Sequence, residues 1–179
     1  MGILMAIFLG IAGIAAILLI LALFVKKEYS VTRDITINKN ISEVFAYIRS
    51  LKNQDNFSKW ASLDPDMKKE YRGMDGTVGF VSAWEGNKKV GKGEQEIVNI
   101  TEGERIDYKL HFIKPFEGLA DSQFVTRAVG ENQTNVSWGM SSSMKYPMNI
   151  MLLFMNMEKM IGDDFSTGLT NLKNILEKK

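Results

Sequence analysis

Three regimes of hydrophobic patterning follow one another along the chain. Gly2 to Val25 is apolar without a single charge. From Tyr29 the pattern becomes an alternation: Tyr29, Val31, Ile35 and Ile37 interleave with Ser30, Thr32, Asp34 and Thr36, which is the period of a half-buried strand. Arg33 interrupts the apolar face and suggests that one end of this strand lies at an edge. At the far end of the chain Ile150, Phe154, Met157, Ile161, Phe165, Leu169, Leu172 and Leu176 recur at steps of three and four, predicting one long amphipathic helix over Met148 to Glu177. Pro147 stands where a first turn tolerates proline, and Lys173, Lys178 and Lys179 suit the C-terminal end of the helix dipole.

Between these landmarks the elements are short. Asn40 and Glu43 have capping-box spacing ahead of a helix carrying Val44, Phe45, Ile48 and Leu51. A second short helical or irregular piece, Asn53 to Trp60, offers Phe57 and Trp60 as apolar anchors before Asp64-Pro65 breaks the chain. Strand-like runs then alternate with turn residues, predicting strands at Glu70–Arg72, Thr77–Trp84, Val90–Ile100, Arg105–Ile113, Leu119–Val129 and Thr134–Met144. A sheet with one apolar face needs a cover, and the C-terminal helix supplies it.

Parity within the strands groups residues by face. Phe80, Ser82 and Trp84 fall together, as do Tyr108, Leu110 and Phe112, and Val136, Trp138, Met140 and Ser142, with Phe124 and Thr126 joining them. Aromatics, methionine and a few hydroxyls of this kind line small-molecule pockets, and a fully packed core has the same composition. The methionines at 148, 151, 155, 157 and 160 carry the same ambiguity, since Met fills irregular gaps and also suits adaptable binding surfaces. Gly162 and Gly168 weaken a helix interior and call for close packing against the sheet or a bend.

Chemistry narrows the picture. Net charge is +1 with acids and bases interspersed, so no footprint for nucleic acid is present. The absence of cysteine excludes disulfides, thiolate metal sites and a cysteine nucleophile. The one histidine, His111, has the opposite parity to Tyr108, Leu110 and Phe112 and is expected to face solvent, as are Glu94 and Glu96. No phosphate-binding glycine loop or metal-ligand spacing occurs, and no cofactor is implied. At about 1.5 Å per residue, residues 2–25 exceed the roughly 30 Å hydrocarbon core of a bilayer. They read as a transmembrane anchor, residues 1–27 with its flank, and nothing basic precedes the run as in a signal peptide, the main competitor. Lys26 and Lys27 favour a cytoplasmic domain on a single-pass anchor.

An ordered set of segments carries a family resemblance: Ile35-Thr36-Ile37, Val44-Phe45, Asn56-Phe57-Ser58-Lys59-Trp60, Val78-Gly79-Phe80, Trp84-Glu85-Gly86, Val90-Gly91-Lys92-Gly93, Tyr108-Lys109-Leu110, Val136-Ser137-Trp138 and Gly168-Leu169-Thr170-Asn171-Leu172. Over residues 28–179 the chain resembles the SRPBCC superfamily, which includes START lipid-binding domains, birch-pollen-allergen-like proteins and the polyketide cyclase/dehydrase-like group. The resemblance implies an α+β helix-grip fold, a curved antiparallel sheet wrapped around a long C-terminal helix with an apolar cavity between them. The function expected from it is binding of a hydrophobic small molecule or lipid by a membrane-tethered domain, with a cyclase, dehydratase or hydrolase as the alternative. The ligand contacts expected are Phe80, Trp84, Tyr108, Leu110, Phe112, Phe124, Trp138 and Met140 from the sheet and Met151, Phe154, Met155 and Phe165 from the helix, with Ser82, Tyr108 and Ser142 orienting a polar end. No catalytic residue is assigned.

Overall fold

In the computed structural model, which describes residues 2–178, an apolar helix α1 (Gly2–Phe24) leads directly into strand β1 (Glu28–Ile37). Helix α2 (Ile41–Arg49) follows, with Asn40 as its N-cap: the Asn40 side chain accepts from the Glu43 amide at 2.9 Å. A 3₁₀ turn (Leu51–Asn53) and two single-turn helices, α3 (Gln54–Phe57) and α4 (Lys59–Ser62), complete the connection. Six strands then run in succession: β2 (Lys68–Arg72), β3 (Val81–Glu85), β4 (Lys92–Thr101), β5 (Arg105–Lys114), β6 (Gly118–Gly130) and β7 (Gln133–Ser143). They form one antiparallel sheet in the order β1-β7-β6-β5-β4-β3-β2, so β1 is an edge strand. A register shift between Ile97 and Asn99 bends β4 and turns both Ile97 and Ile100 toward Tyr108 and Ile106. The sheet curves around helix α5 (Met157–Glu177), the architecture of the helix grip.

Most expected strand ends move by one or two residues, and two expected elements change further. The strand expected over Thr77–Trp84 begins only at Val81, because Gly76 and Gly79 take φ of 75° and 88°, a left-handed turn that a strand cannot contain. The helix expected over Met148–Glu177 is two pieces. Pro147 opens a 3₁₀ segment (Met148–Leu153), the chain turns at Phe154–Asn156, and α5 starts afresh with the Asn156 side chain accepting from the Lys159 amide at 2.9 Å. The cause is tertiary. Asn149 is fully buried and donates to the carbonyls of Ala22 at 2.6 Å and Val25 at 3.0 Å, which ties the 3₁₀ segment to the last turn of α1.

Within α5 the helical period holds, with Ile161, Phe165, Leu169, Leu172 and Leu176 buried against the sheet. Both helix glycines are sites of close approach. A Cβ on Gly168 would stand 2.7 Å from the Trp138 ring, and one on Gly162 would collide with the Arg33 guanidinium. Arg33 thereby passes beneath the helix and reaches Glu158, with 2.8 Å between charged atoms.

Candidate functional site

Register settles which side chains share the concave face. Across β5, β6 and β7, Ile106 pairs with Phe124 and Phe124 with Trp138; Tyr108 pairs with Ser122 and Ser122 with Met140; Leu110 pairs with Ala120 and Ala120 with Ser142. From β5 outward the same face carries Phe112 of β5 with Gly93 and Trp84 beyond it, and Leu110 with Gln95, Ser82 and Tyr71. Thus Ser82, Trp84, Tyr108, Leu110, Phe112, Phe124, Trp138, Met140 and Ser142 lie on one inner face, as parity predicts. Phe80 joins them from the turn before β3, buried and stacked on Tyr71 with ring centroids 6.0 Å apart.

This face has two zones. Beneath α5 the space is filled by rings: Trp138 stacks on Phe165 with centroids 4.4 Å apart, lies 4.9 Å from Phe124, and meets the edges of Phe57 and Trp60. Toward the end of the sheet where α1 joins, the side chains become short or polar, as at Ala120, Ser122 and Ser142. There Leu110, Phe112, Trp84, Ser82 and Gln95 are only half-buried. Trp84 seats against Gly93, where a Cβ would lie 2.6 Å from its ring, and its edge meets Phe112.

The hydroxyls differ in what they have left to offer. Ser122 Oγ donates to the Gly139 carbonyl at 2.8 Å, and Ser142 Oγ donates to the Leu119 carbonyl at 2.6 Å, so both protons are used within the sheet. Tyr108 is 1% exposed and its hydroxyl has no hydrogen-bond partner. Burial, with smaller contributions from the negative charges of Asp75 and Asp107, pushes its pKa far above the ordinary phenol value. Tyr108 therefore keeps its proton on the inner face and has it free to donate. Leaving such a group unpaired costs about 1–3 kcal/mol.

A polar cluster on β2 had no counterpart in the sequence reading. Lys69 and Tyr71 alternate onto the inner face; Lys69 pairs with Asp55, and the Tyr71 hydroxyl donates to the same carboxylate at 2.8 Å. Lys52 Nζ sits 4.8 Å from the Tyr71 ring centroid. Burial first, then the hydrogen bond to Asp55, raises the Tyr71 pKa to about 12. The inward alternation of Lys69 and Tyr71 within Lys68-Lys69-Glu70-Tyr71-Arg72 is the signal that was available.

Other expected residues are distributed differently. Phe165 is in the buried ring stack, and Met151 and Met155 are half-buried beside the break in the helix. Phe154 is 78% exposed, because the turn at the break swings it away from the sheet. Glu94 and His111 are cross-strand neighbours on the outer face; Glu94 pairs with Arg72 at 2.6 Å, and His111 Nε2 is 3.4 Å from Glu117. Glu96 is exposed on that same face. Among the described residues no three His, Cys, Asp or Glu side chains gather as metal ligands. A hollow of about 490 Å³ is lined by Tyr29, Leu110, Ala120 and Ser142 of the inner face together with outer-face residues such as Ser30, Lys109, Asp121 and Ser141.

A family model described as "Polyketide cyclase / dehydrase and lipid transport" matches residues 28–177. The chain belongs to this family. Solved structures place the family's helix grip beside those of other proteins. Norcoclaurine synthase from Thalictrum flavum, in complex with dopamine and hydroxybenzaldehyde, is 9% identical with a TM-score of 0.62, covering 85% of this chain and 88% of that one. Ara h 8.0201 is 10% identical with a TM-score of 0.57, covering 85% and 99%. A protein from Nitrosospira multiformis is 19% identical with a TM-score of 0.55, covering 83% and 96%. At these identities the likeness is one of fold. No curated protein matches the chain. In this polyketide cyclase/dehydrase-type domain the buried ring stack closes one end of the grip, and the zone around Tyr108, Leu110 and Ser142 is left as the candidate site.

Proposed function

We propose that this chain is a membrane-tethered domain that takes up a hydrophobic small molecule or lipid on the half-open zone of its inner face, with Tyr108 donating to the ligand's one polar end. The observation that carries this reading is the unpartnered Tyr108 hydroxyl, buried beside Ser122 and Ser142, whose own protons are used within the sheet. An apolar body with a single acceptor satisfies that proton and covers Leu110, Phe112 and Trp84 together. Family membership supports the same class of ligand, since its description includes lipid transport.

The tether is α1, whose 23 residues make it the one helix among those described that is long and apolar enough to cross a membrane. Its retention is supported by Asn149: removal of α1 strips a fully buried amide of both its acceptors. Lys26 and Lys27 favour a cytoplasmic domain; in spheroplasts, protection of the domain from added protease is the expected result, and cleavage reverses the orientation.

The test of the ligand reading is native mass spectrometry of the full chain in detergent micelles, wild type against Tyr108→Phe. We expect a discrete apolar adduct on the wild type that denaturation releases. In the variant its occupancy falls by roughly tenfold, the equivalent of one hydrogen bond of about 1.4 kcal/mol, while Tm is unchanged or slightly higher because an unpaired hydroxyl has gone. Equal occupancy in the two proteins removes Tyr108 from the site. Absence of any adduct, in a chain that also gains no thermal stability from added fatty acids or phospholipids, overturns the reading.

A further inference from the structure

The loops at the two ends of the sheet differ in character, and the difference follows α1. The end where β1 begins and β7 stops also holds the β3–β4, β5–β6 and β7–α5 connections. There the apolar side chains that face outward are large: Phe116 is 69% exposed, Leu153 58% and Phe154 78%, with Tyr146 and Met148 exposed in the same β7–α5 connection. Lysines at 26, 27, 88, 89, 114 and 145 share this end and outnumber its acids Glu28, Glu85 and Glu117. At the opposite end the exposed apolar residues are Met74, Val78 and Val129, none of them aromatic, and the turns carry Glu102, Glu104 and Glu131. Half-burial of Leu110, Phe112 and Trp84 makes the first end the mouth of the inner face.

Geometry also fixes what lies against that mouth. Only three residues separate α1 from β1. The joint is not free, because Asn149 holds the Ala22 and Val25 carbonyls and the Met144 amide donates to the Lys27 carbonyl at 2.8 Å. Of α1 only Ala22 is buried, so the helix projects away from the domain on this side. Aromatic and aliphatic side chains mixed with lysines are the composition of a bilayer interface, where rings enter the headgroup boundary and lysines meet anionic lipid.

We propose that this end of the domain is seated in the bilayer surface, with Phe116, Leu153 and Phe154 inserted to the acyl boundary, so that the mouth of the inner face opens onto lipid. A ligand then passes between bilayer and inner face without crossing water. The inference rests on α1 spanning the membrane, and the test separates the two.

The chain has no cysteine, so single nitroxide labels can be introduced at Phe116→Cys, Phe154→Cys, Asn132→Cys and Ile14→Cys in the full chain. These are reconstituted into phosphatidylcholine/phosphatidylglycerol vesicles. All four positions are exposed, and far-UV circular dichroism checks that each variant folds. Power saturation compares collision with oxygen, which concentrates in hydrocarbon, against collision with a water-soluble nickel chelate. The labels at 14, 116 and 154 are expected to favour oxygen and the label at 132 the chelate, with a several-fold difference in accessibility ratio. Labels at 116 and 154 that match 132, while 14 still reports hydrocarbon, overturn the seating and leave the anchor standing. A label at 14 that reports water overturns both.

Discussion

Tyr71 and Tyr108 are both phenols on the inner face with raised pKa, yet their surroundings make different demands. Tyr108 has nothing to donate to, whereas Tyr71 donates to Asp55, a carboxylate already paired with Lys69. Because Tyr71 holds its proton up to about pH 12 in the folded chain, against about 10 when unfolded, the folded state binds that proton more tightly. The resulting stabilisation is complete below about pH 10 and is lost as pH rises from there through about 12. Tyr108 acts with the same sign. Tyr71→Phe should therefore be less stable than wild type near neutrality, having lost the bond to Asp55, and the gap in Tm should narrow across that alkaline window. Thermal melts of both proteins at stepped pH provide the check; a gap that stays constant with pH means that the phenol proton contributes nothing.

At the scale of elements, the two glycines of α5 permit the helix to lie against the sheet, but they yield to different neighbours. Trp138, beside Gly168, is held by Phe165, Phe124, Phe57 and Trp60 and has no direction in which to move. Gly168→Ala should overpack by about 1–3 kcal/mol, outweighing a helix-propensity gain of up to about 1 kcal/mol, and lower Tm. Beside Gly162 stands the far end of a flexible arginine. There Ala displaces Arg33, half-buried, from its pair with the exposed Glu158, a pair worth about 0–1 kcal/mol, so Tm should stay within a few degrees; a drop equal to that of Gly168→Ala would show Arg33 to be rigidly held. Periodicity made the helix face and the strand parities legible, including the outward placement of His111 and Glu94. It could not expose the break before α5, because Ile150 and Phe154 continue the apolar spacing while the contact that ends it, Asn149 on α1, is remote in sequence. The Val78-Gly79-Phe80 run looked like strand for a related reason: strand spacing does not reveal that Gly76 and Gly79 adopt positive φ. Likewise, a ring at Trp138 is visible in the sequence, but whether it fills or lines a space depends on stacking with Phe165. The missing partner of the Tyr108 hydroxyl is a property of the assembled interior alone.

For the whole molecule the decisive joint is between helix and domain. With three residues between α1 and β1, a loose junction would let the domain swing about α1, whereas the Asn149 bonds fix it against the last turn of that helix. Two hydrogen bonds to a buried amide contribute about 1–3 kcal/mol together, so Asn149→Ala should raise the population of the opened junction by roughly tenfold or more. The sheet does not depend on those bonds: β1 pairs with β7 along its length, and the ring stack lies under α5. The variant should accordingly keep a Tm close to wild type while trypsin cuts after Lys26 and Lys27 about tenfold faster in vesicles, since cleavage follows the open fraction when opening and closing are fast. Amide hydrogen exchange should rise over residues 144–156 and remain unchanged in β5, β6 and β7. Faster exchange throughout the sheet would mean instead that α1 stabilises the fold itself; unchanged cleavage would mean that the junction is held by contacts other than Asn149.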